Sequence, residues 1–219
     1  MKNKKAIIFD FDGTLSDTVG AIAEAVNLTM EHFGFEKKSL DEVQRAIGNG
    51  ATIMIKRVLP QNVSCDAEFV KKARSVYDDM YAKTYLHTVD TYEGIVPMLE
   101  SLKKEKGMKI AVFSNKQDPY VKGLCEQLFS KELISCALGQ TEIPIKPDPA
   151  GVFKILDCLG MTSEDCVFVG DSEVDYNTAK NSEMDFIGVT WGYAGRERLL
   201  ACGSEYLADK AEDVVEILK

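Results

Sequence analysis

Two carboxylates stand close together near the start of the chain, where they could act on one group. Asp10 and Asp12 follow the short apolar run Ala6–Phe9, and residues two apart in a regular strand share a face. Gly13 behind them permits a sharp turn around a ligand. Two such carboxyl groups can divide the hydrolysis of a phosphate ester into two steps, one attacking phosphorus and the other transferring protons. The spacing does not say which carboxylate attacks, and a strand that ends in an ordinary Asp-Gly turn fits the same residues.

Three further polar clusters follow apolar runs later in the chain. They are Ser114-Asn115-Lys116, Lys146-Pro147-Asp148-Pro149 and Gly170-Asp171-Ser172-Glu173-Val174-Asp175. The Ser114 hydroxyl and the Asn115 backbone N–H could donate hydrogen bonds to phosphoryl oxygens. Lys146 could neutralise the charge on those oxygens and on Asp10. Taken singly, each cluster also fits a solvated turn or loop, so the interpretation depends on their combination.

A carboxylate that attacks a phosphate dianion works against Coulomb repulsion. A hard divalent cation held by oxygen ligands relieves that repulsion, and Asp171 is expected to complete such a site. The chain has two histidines, His32 and His87, and both fall in a helical segment rather than in the polar clusters. Zinc, which favours nitrogen and sulfur ligands, is therefore not the expected metal.

The hydrophobic pattern predicts the strands that must position the polar clusters. Ala6–Phe9 is typical of a buried strand in a parallel sheet. After Asp90, predicted strands alternate with helices, which is the pattern of a doubly wound α/β sheet. The later strands are expected at residues 110–113, 135–138, 167–169 and 186–190. Ligands of such sheets bind beyond the carboxyl ends of the strands, where the polar clusters fall.

Residues 17–88 instead show a wholly helical pattern. Asp17 is the expected N-cap of the first helix, and Ser39 with Glu42 predicts a capping box at the second. A third helix is expected over residues 51–59. A fourth carries a row of tyrosines, which we interpret as packing residues. These tyrosines are Tyr77, Tyr81 and Tyr85.

Later helix boundaries are marked by proline and glycine. Asp118-Pro119 and Asp148-Pro149 each predict an aspartate N-cap followed by a proline at the first helical position. Gly160 is expected to end the helix that begins after Pro149. The helix that follows the last polar cluster ends near Ser182-Glu183.

The four polar clusters, in this order, resemble the four motifs of the haloacid dehalogenase superfamily, in its phosphatase branch. Within the superfamily the phosphoglycolate phosphatase group is the most similar, on the strength of Tyr92-Glu93-Gly94, the Ser-Asn-Lys triplet and Lys-Pro-Asp-Pro. The resemblance implies an α/β fold, a Rossmann-like parallel-sheet core with a helical cap domain inserted after the first strand. The core would comprise residues 1–16 and 91–219, and the cap residues 17–90. One departure is Ser182-Glu183, where relatives usually carry Ala-Gly.

The resemblance also implies roles for individual residues. Asp10 would be the nucleophile and Asp12 the general acid and base, with Ser114 and Lys146 completing the catalytic set. Mg²⁺ would be held by the Asp10 carboxylate, the Asp12 backbone carbonyl and the Asp171 carboxylate, with Asp175 supporting them through hydrogen bonds. The cap would close over the crevice and choose the leaving group. The residues assigned to substrate binding are Gly13, Thr14, Arg45, Gly48, Asn49 and Asn115.

These assignments favour hydrolysis of a small phosphomonoester, such as a phosphoglycolate-like metabolite, through an aspartyl phosphate. Three alternatives stay open. A β-phosphoglucomutase-like mutase shares the nucleophile, the second aspartate and the cap placement. A nucleotidase or pyrophosphatase of the same superfamily has the same motifs. A non-catalytic phosphate-binding module ranks last, because all four motifs are intact.

Composition narrows the partners and the setting. A net charge of −9 with no basic stripe does not favour nucleic acid. No segment is long and apolar enough to suggest a membrane span, so a cytoplasmic protein is expected. The six cysteines lack a C-x-x-C pair and are interpreted as reduced thiols. They are Cys65, Cys125, Cys136, Cys158, Cys166 and Cys202. The oligomeric state is not readable from the sequence.

Overall fold

The computed structural model describes residues 1, 3–61 and 66–219. They form two compact units. The first unit combines Met1–Asp17 with Thr91–Lys219, and the second is Thr18–Asp90. The first unit is an α/β structure around a parallel sheet, as the alternating pattern predicts, and the second contains helices.

Eight strands are present in the described residues. Their bounds are β1 Ala6–Phe9, β2 Ser16–Asp17, β3 Asp90–Thr91, β4 Lys109–Gln117, β5 Cys136–Gln140, β6 Cys166–Gly170, β7 Asp185–Val189 and β8 Tyr206–Ala208. Six of them form one sheet in the order β5-β4-β1-β6-β7-β8, and each neighbouring pair is parallel. β2 and β3 form a separate small sheet. The predicted parallel sheet is confirmed, and β4 extends four residues beyond the expected strand end to include the Ser-Asn-Lys triplet.

Ten α-helices accompany the strands in the described residues. Their bounds are α1 Val19–His32, α2 Leu40–Ala46, α3 Ala51–Val58, α4 Ala67–Thr84, α5 Ile95–Lys104, α6 Asp118–Leu128, α7 Ala150–Leu159, α8 Glu173–Asn181, α9 Gly195–Cys202 and α10 Ala211–Ile217. A short 3₁₀ turn covers Ser163–Asp165. Over the ranges that the structure describes, no helix is long and apolar enough to cross a bilayer.

The centre of the large sheet is fully buried. Every residue of β1 is at most 1% exposed, because β1 has β4 on one side and β6 on the other. Ile8, Phe113 and Phe168 pack with apolar residues of α7 in one cluster on a face of the sheet. A strand buried on both faces consists of apolar residues throughout, which explains why Ala6–Phe9 carries no polar side chain.

The second unit consists of α1 to α4. Tyr77 and Tyr81 of α4 are buried and their rings stack with centroids 5.5 Å apart, which confirms the predicted packing role for these two residues. The capping box at α2 is also confirmed, since Glu42 N donates to Ser39 Oγ and Ser39 N donates to the Glu42 carboxylate.

Three predicted N-caps are each wrong by one residue. Asp17 lies in the extended strand β2, so Thr18 is the N-cap of α1. Asp118 is already helical, with Gln117 as the cap, and its Oδ1 accepts a hydrogen bond from Gly139 N in β5. Asp148 Oδ1 accepts from Ala150 N, which forms a turn just before α7 rather than a cap. In each case the carboxylate has a partner outside the predicted capping geometry.

Two helix ends illustrate how the chain stops a helix. Gly160 ends α7 in the left-handed conformation, with φ of 65°, as predicted. After α8 the left-handed residue is Glu183, with φ of 54°. A side chain at such a φ is strained by roughly 1 kcal/mol. The residue that follows α8 in the left-handed conformation is therefore a glutamate, where relatives usually carry glycine.

The described cysteines carry free thiols. They are Cys125, Cys136, Cys158, Cys166 and Cys202. Burial raises the pKa of the Cys125 thiol to about 12, so this side chain stays protonated at neutral pH. Cys158 is exposed. Cys65 lies outside the described residues.

Candidate active site

The sheet order brings the polar clusters together. Because β1 lies between β4 and β6, the residues after these three strands meet at one edge of the sheet. Asp10 follows β1 and its backbone N–H donates to the Val169 carbonyl of β6 at 2.9 Å. Ser114 lies near the end of β4, and Asp171 directly follows β6. All three residues are at most 8% exposed.

A buried lysine joins two of these carboxylates. Lys146 Nζ lies 2.7 Å from Asp10 Oδ1 and 2.7 Å from Asp175 Oδ1, and the lysine side chain is 2% exposed. The ammonium also lies 5.8 Å from the centroid of the Phe113 ring and 5.7 Å from that of Phe168. These two core rings add cation–π attraction to the ammonium. Lys146 is therefore held rigidly beside Asp10.

Electrostatics at this cluster shift the pKa values strongly. Burial, followed by the neighbouring Asp175 carboxylate, raises the pKa of Asp10 well above its ordinary value, although Lys146 acts in the opposite direction. Burial alone would lower the pKa of Lys146, but the carboxylates of Asp10 and Asp175 raise it above its usual range. The lysine therefore stays charged, and the site holds more carboxylates than its ammonium groups neutralise.

Asn115 positions Lys146 through its side-chain amide. Asn115 Nδ2 donates to the Lys146 carbonyl at 3.1 Å, and Lys146 N donates to Asn115 Oδ1 at 2.8 Å. This reciprocal pair fixes the lysine backbone, 31 residues away in sequence. The expected contribution of Asn115 was its backbone N–H toward a phosphoryl group. The structure adds a side-chain role that the sequence did not indicate.

Asp171 is held from two sides. Tyr193 N donates to Asp171 Oδ2 at 2.6 Å, and Thr14 Oγ1 makes a long contact of 3.4 Å with Asp171 Oδ1. Gly13 has a φ of 82°, and a Cβ built on it would lie 2.6 Å from Asp171 Oδ2. Burial, and then the Asp175 carboxylate, raise the pKa of Asp171 to about 7. Position 13 therefore requires glycine, both for the turn with positive φ and for the close approach to Asp171.

The residues present fit a hard divalent cation. The side chains of Asp10, Asp171 and Asp175 are buried, and an oxygen of each lies within 4.8 Å of the others. Carboxylate oxygens are the ligands that Mg²⁺ and similar ions prefer, and a cation would offset the surplus negative charge. Both Asp175 oxygens already accept hydrogen bonds, Oδ1 from Lys146 and Oδ2 from Ser172. These two hydrogen-bonded oxygens make Asp175 the least suited ligand of the three and leave Asp10 and Asp171 as the candidate metal ligands.

An ion pair at Asp12 was not anticipated. Lys116 Nζ lies 2.7 Å from Asp12 Oδ1. Its backbone N–H donates to Ser114 Oγ at 3.3 Å, which links the first and last residues of the Ser-Asn-Lys triplet. Lys116 belongs to the predicted triplet, but no role was predicted for it. A role for Lys116 could have been predicted from its position directly after Ser114 and Asn115.

The segment after β7 also contacts the site, although no role was predicted for it. Trp191 Nε1 donates to the Thr14 carbonyl at 3.0 Å. A Cβ on Gly192 would lie 2.2 Å from the Gly13 carbonyl oxygen and 2.3 Å from Asp171 Cβ. Together with Tyr193, this segment packs against both the Asp10 loop and Asp171. It follows a strand of the same parallel sheet, which was the overlooked signal.

The remaining predicted contacts belong to the helical unit. Arg45 is exposed and paired with Asp41 one turn earlier on α2. Gly48 has a φ of 114° in the turn between α2 and α3. Asn49 Oδ1 accepts a hydrogen bond from Arg57 Nη2 at 2.8 Å, and Arg57 Nη1 also donates to the Ala46 carbonyl at 3.1 Å. The other predicted site residues all lie in the unit that contains the sheet.

Comparison with known proteins identifies relatives along most of the chain. A model of the haloacid dehalogenase-like hydrolase family matches residues 7–189. The phosphoglycolate phosphatase of Aliivibrio fischeri is 32% identical over 219 residues, covering 98% of this chain and 96% of that protein. The phosphoglycolate phosphatase of Pseudomonas putida is 31% identical over 193 residues, covering 86% of this chain and 70% of that protein.

The fold comparison agrees with the sequence comparison. The crystal structure of a predicted phosphoglycolate phosphatase from Haemophilus somnus matches with a TM-score of 0.90 at 26% identity, covering 99% of each chain. The fold class and the enzyme class predicted from the four motifs are thereby confirmed. The chain belongs to the haloacid dehalogenase-like hydrolase family, in its phosphatase branch.

Proposed function

We propose that the chain is a Mg²⁺-dependent enzyme that hydrolyses a small phosphomonoester through an aspartyl phosphate on Asp10. The observation that carries the proposal is the contact between Lys146 Nζ and Asp10 Oδ1 at 2.7 Å in a buried site. A carboxylate with a fixed ammonium beside it can receive an anionic phosphoryl group, because the ammonium neutralises charge on both. The curated relatives support a small substrate, since both are phosphoglycolate phosphatases.

The proposed reaction has two steps. A carboxylate oxygen of Asp10 bonds to phosphorus while the ester P–O bond breaks, and Asp12 gives a proton to the departing oxygen. Asp12 then accepts a proton from water as the water oxygen bonds to phosphorus. The bond between phosphorus and Asp10 breaks, which restores the carboxylate and releases inorganic phosphate.

The neighbouring side chains have proposed tasks in both steps. Lys146 neutralises the phosphoryl oxygens, and the Ser114 hydroxyl donates a hydrogen bond to them. Gly13 allows the backbone turn that surrounds the phosphoryl group. Mg²⁺, held by Asp10, Asp171 and the Asp12 carbonyl, would supply Lewis-acid stabilisation of the phosphoryl oxygens.

We also propose that residues 17–90 act as a cap that selects the leaving group, with the turn carrying Gly48 and Asn49, next to Arg45, as substrate contacts. The proposed setting is the cytoplasm, in keeping with the free thiols of the described cysteines. The partner is a small phosphorylated metabolite. Nucleic acid is not a proposed partner, given the net charge of −9.

A substrate panel tests the proposed function. Phosphate release is measured for 2-phosphoglycolate, a sugar phosphate, a nucleoside monophosphate and pyrophosphate, with Mg²⁺ and with EDTA. We expect Mg²⁺-dependent release from 2-phosphoglycolate above the other compounds and loss of release in EDTA. Conversion of a sugar phosphate to its isomer without phosphate release would contradict hydrolysis and favour a mutase. Binding of phosphate without turnover of any compound would favour a non-catalytic module.

Proton competition at Asp171 gives a pH prediction for metal binding. The pKa of this carboxyl is raised to about 7 by burial and by Asp175, so a proton occupies the metal-binding oxygen as the pH falls below 7. The apparent Kd for Mg²⁺ should therefore increase about tenfold between pH 8 and pH 6. The fluorescence of Trp191, the single tryptophan, reports binding because its indole contacts the Thr14 carbonyl of the Asp10 loop. A Kd that does not change across this range would contradict the prediction.

A methyl group at Gly192 should distort the metal-binding region. Gly192→Ala places Cβ 2.2 Å from the Gly13 carbonyl oxygen and 2.3 Å from Asp171 Cβ, and these atoms cannot move without shifting the backbone. We expect kcat/KM for phosphate release to fall about 100-fold, because displacements of about 1 Å have effects of that size. The apparent Kd for Mg²⁺, followed by Trp191 fluorescence, should rise as well.

Gly107→Ala is the matched control for this variant. Gly107 has a φ of 65°, and a Cβ there would meet nothing within 4 Å. The substitution should lower the free energy of unfolding by about 1 kcal/mol and leave kcat/KM unchanged. Equal activity losses in the two variants would mean that general destabilisation, rather than displacement of Asp171, explains the Gly192 result.

A further inference from the structure

The ion pair between Lys116 and Asp12 has no function in the proposed reaction. Lys116 Nζ lies 2.7 Å from Asp12 Oδ1, and the two side chains are 5% and 13% exposed. A lysine this deeply buried is unusual, because removing an ammonium from water is costly even when it is paired. The position must therefore offer an interaction that an exposed lysine would not.

The proposed role of Asp12 limits how far Lys116 lies from the reacting atoms. A general acid must approach the leaving oxygen to within about 3 Å to transfer its proton. Lys116 Nζ is 2.7 Å from the same carboxylate, so it would lie within roughly 6 Å of the leaving oxygen. A carboxylate attached to the carbon that bears the leaving oxygen has oxygens roughly 3 Å from it. A substrate carboxylate at this position could therefore contact the Lys116 ammonium.

The two lysines with little-exposed side chains have different partners. Lys146 contacts Asp10 and Asp175, on the side where the phosphoryl group would be transferred. Lys116 contacts Asp12, on the side of the leaving group. An anionic leaving group beside Asp12 would be repelled by that carboxylate. Lys116 can offset this repulsion because it contacts Asp12, whereas Lys146 contacts Asp10 and Asp175.

We propose that Lys116 is a specificity-determining residue that selects phosphomonoesters with a carboxylate on the carbon bearing the ester oxygen. The inference rests on the proposed function and narrows its substrate class. The ammonium donates a charge-assisted hydrogen bond to the substrate carboxylate while it stays in contact with Asp12. The smallest member of this class is 2-phosphoglycolate. Lys116 selects the leaving group, and the two reaction steps are those proposed above.

A pair of isosteric esters tests the proposal in the wild-type enzyme. 2-Phosphoglycolate carries the carboxylate, and the phosphate ester of glycolamide replaces it with a neutral amide of the same shape. We expect kcat/KM to be about 30-fold higher for the acid, the size of a hydrogen bond between charged groups. Equal kcat/KM values for the two esters would overturn the proposal.

Variants at Lys116 assign the preference to this residue. In Lys116→Met the ratio of kcat/KM for the acid to kcat/KM for the amide should fall to near one, whereas Lys116→Arg should keep most of that ratio. Lys122→Met, which removes an exposed lysine paired with Asp118 on α6, should change neither ester. If Lys116→Met lowers both esters equally, the lysine acts only by positioning Asp12 and the proposal is wrong.

The outcomes separate this proposal from the proposed function. If the enzyme releases phosphate from both esters with equal kcat/KM, the phosphatase reaction is supported and the role of Lys116 is rejected. Release from no ester at all would reject the proposed function and this inference with it. If Lys116→Met fails to fold, as judged by its thermal unfolding, the wild-type comparison and Lys116→Arg decide the question. An arginine variant that loses the preference while folding normally would count against it.

Discussion

Asp10→Asn is expected to reduce kcat for phosphate release by about 10⁴-fold or more. The amide has nearly the shape of the carboxylate but cannot form the acyl phosphate, so the two-step route is closed. The Lys146 ammonium also loses the charge of the partner that lies 2.7 Å away. The measurement is steady-state phosphate release at saturating Mg²⁺. Incubation with beryllofluoride should give an adduct on Asp10 in the wild type and none in the variant.

The control for this prediction is another aspartate-to-asparagine change. Asp157 lies on α7 and is exposed, so Asp157→Asn should leave both kcat and the adduct unchanged. Folding of the Asp10 variant is checked by its thermal unfolding. A variant that folds and retains more than about 1% of wild-type kcat would show that Asp10 does not attack phosphorus.

Lys146→Met should reduce kcat about 1,000-fold and also destabilise the fold. The methionine fills a similar volume but leaves the buried carboxylates of Asp10 and Asp175 without their shared counter-charge. Removing one partner of a buried ion pair typically costs about 3 kcal/mol or more in the free energy of unfolding. Without Mg²⁺ this cost should be smaller at pH 5 than at pH 8, because burial raises the pKa of Asp10 and a proton can then neutralise that carboxylate. Activity and chemical unfolding at both pH values measure the two effects.

Two comparisons separate charge from packing at this position. Lys154→Met removes an exposed lysine on α7 and should change neither activity nor stability. The double variant Lys146→Met/Asp175→Asn should recover part of the lost stability, since one uncompensated carboxylate is gone, but it should not recover activity. Full activity in Lys146→Met would mean that the phosphoryl charge is neutralised elsewhere.

The sequence predicted the parts of the site that depend on the sheet. Apolar strands followed by carboxylates are visible as patterns, and the order of strands in a parallel sheet brings their ends together. This reasoning placed Asp10 and Asp171 at one edge, where the structure has them. The predicted helix starts at Asp17, Asp118 and Asp148 were wrong, because aspartate accepts hydrogen bonds from nearby turns and strands as readily as it caps a helix.

Contacts between segments distant in sequence could not be predicted. The amide pair that joins Asn115 to Lys146, and the packing of Gly192 on Gly13, are set by side-chain directions and loop paths that no local pattern encodes. Lys116 is a similar case, since a lysine after a strand is usually solvated. Charge balance in the finished site, rather than periodicity, explains why it is buried.

The position of β1 has a consequence for biosynthesis. Ala6 pairs with Lys109 of β4 and with Cys166 of β6, so β1 leaves the ribosome before both of the strands that it pairs with. The helices of Thr18–Asp90 are translated in between and are linked by local contacts, which form faster than distant strand pairs. Until translation passes β4, this apolar strand has two unpaired edges, and until it passes β6 one edge stays unpaired. Chaperone binding to the N-terminal segment should therefore persist until most of the protein has been synthesised.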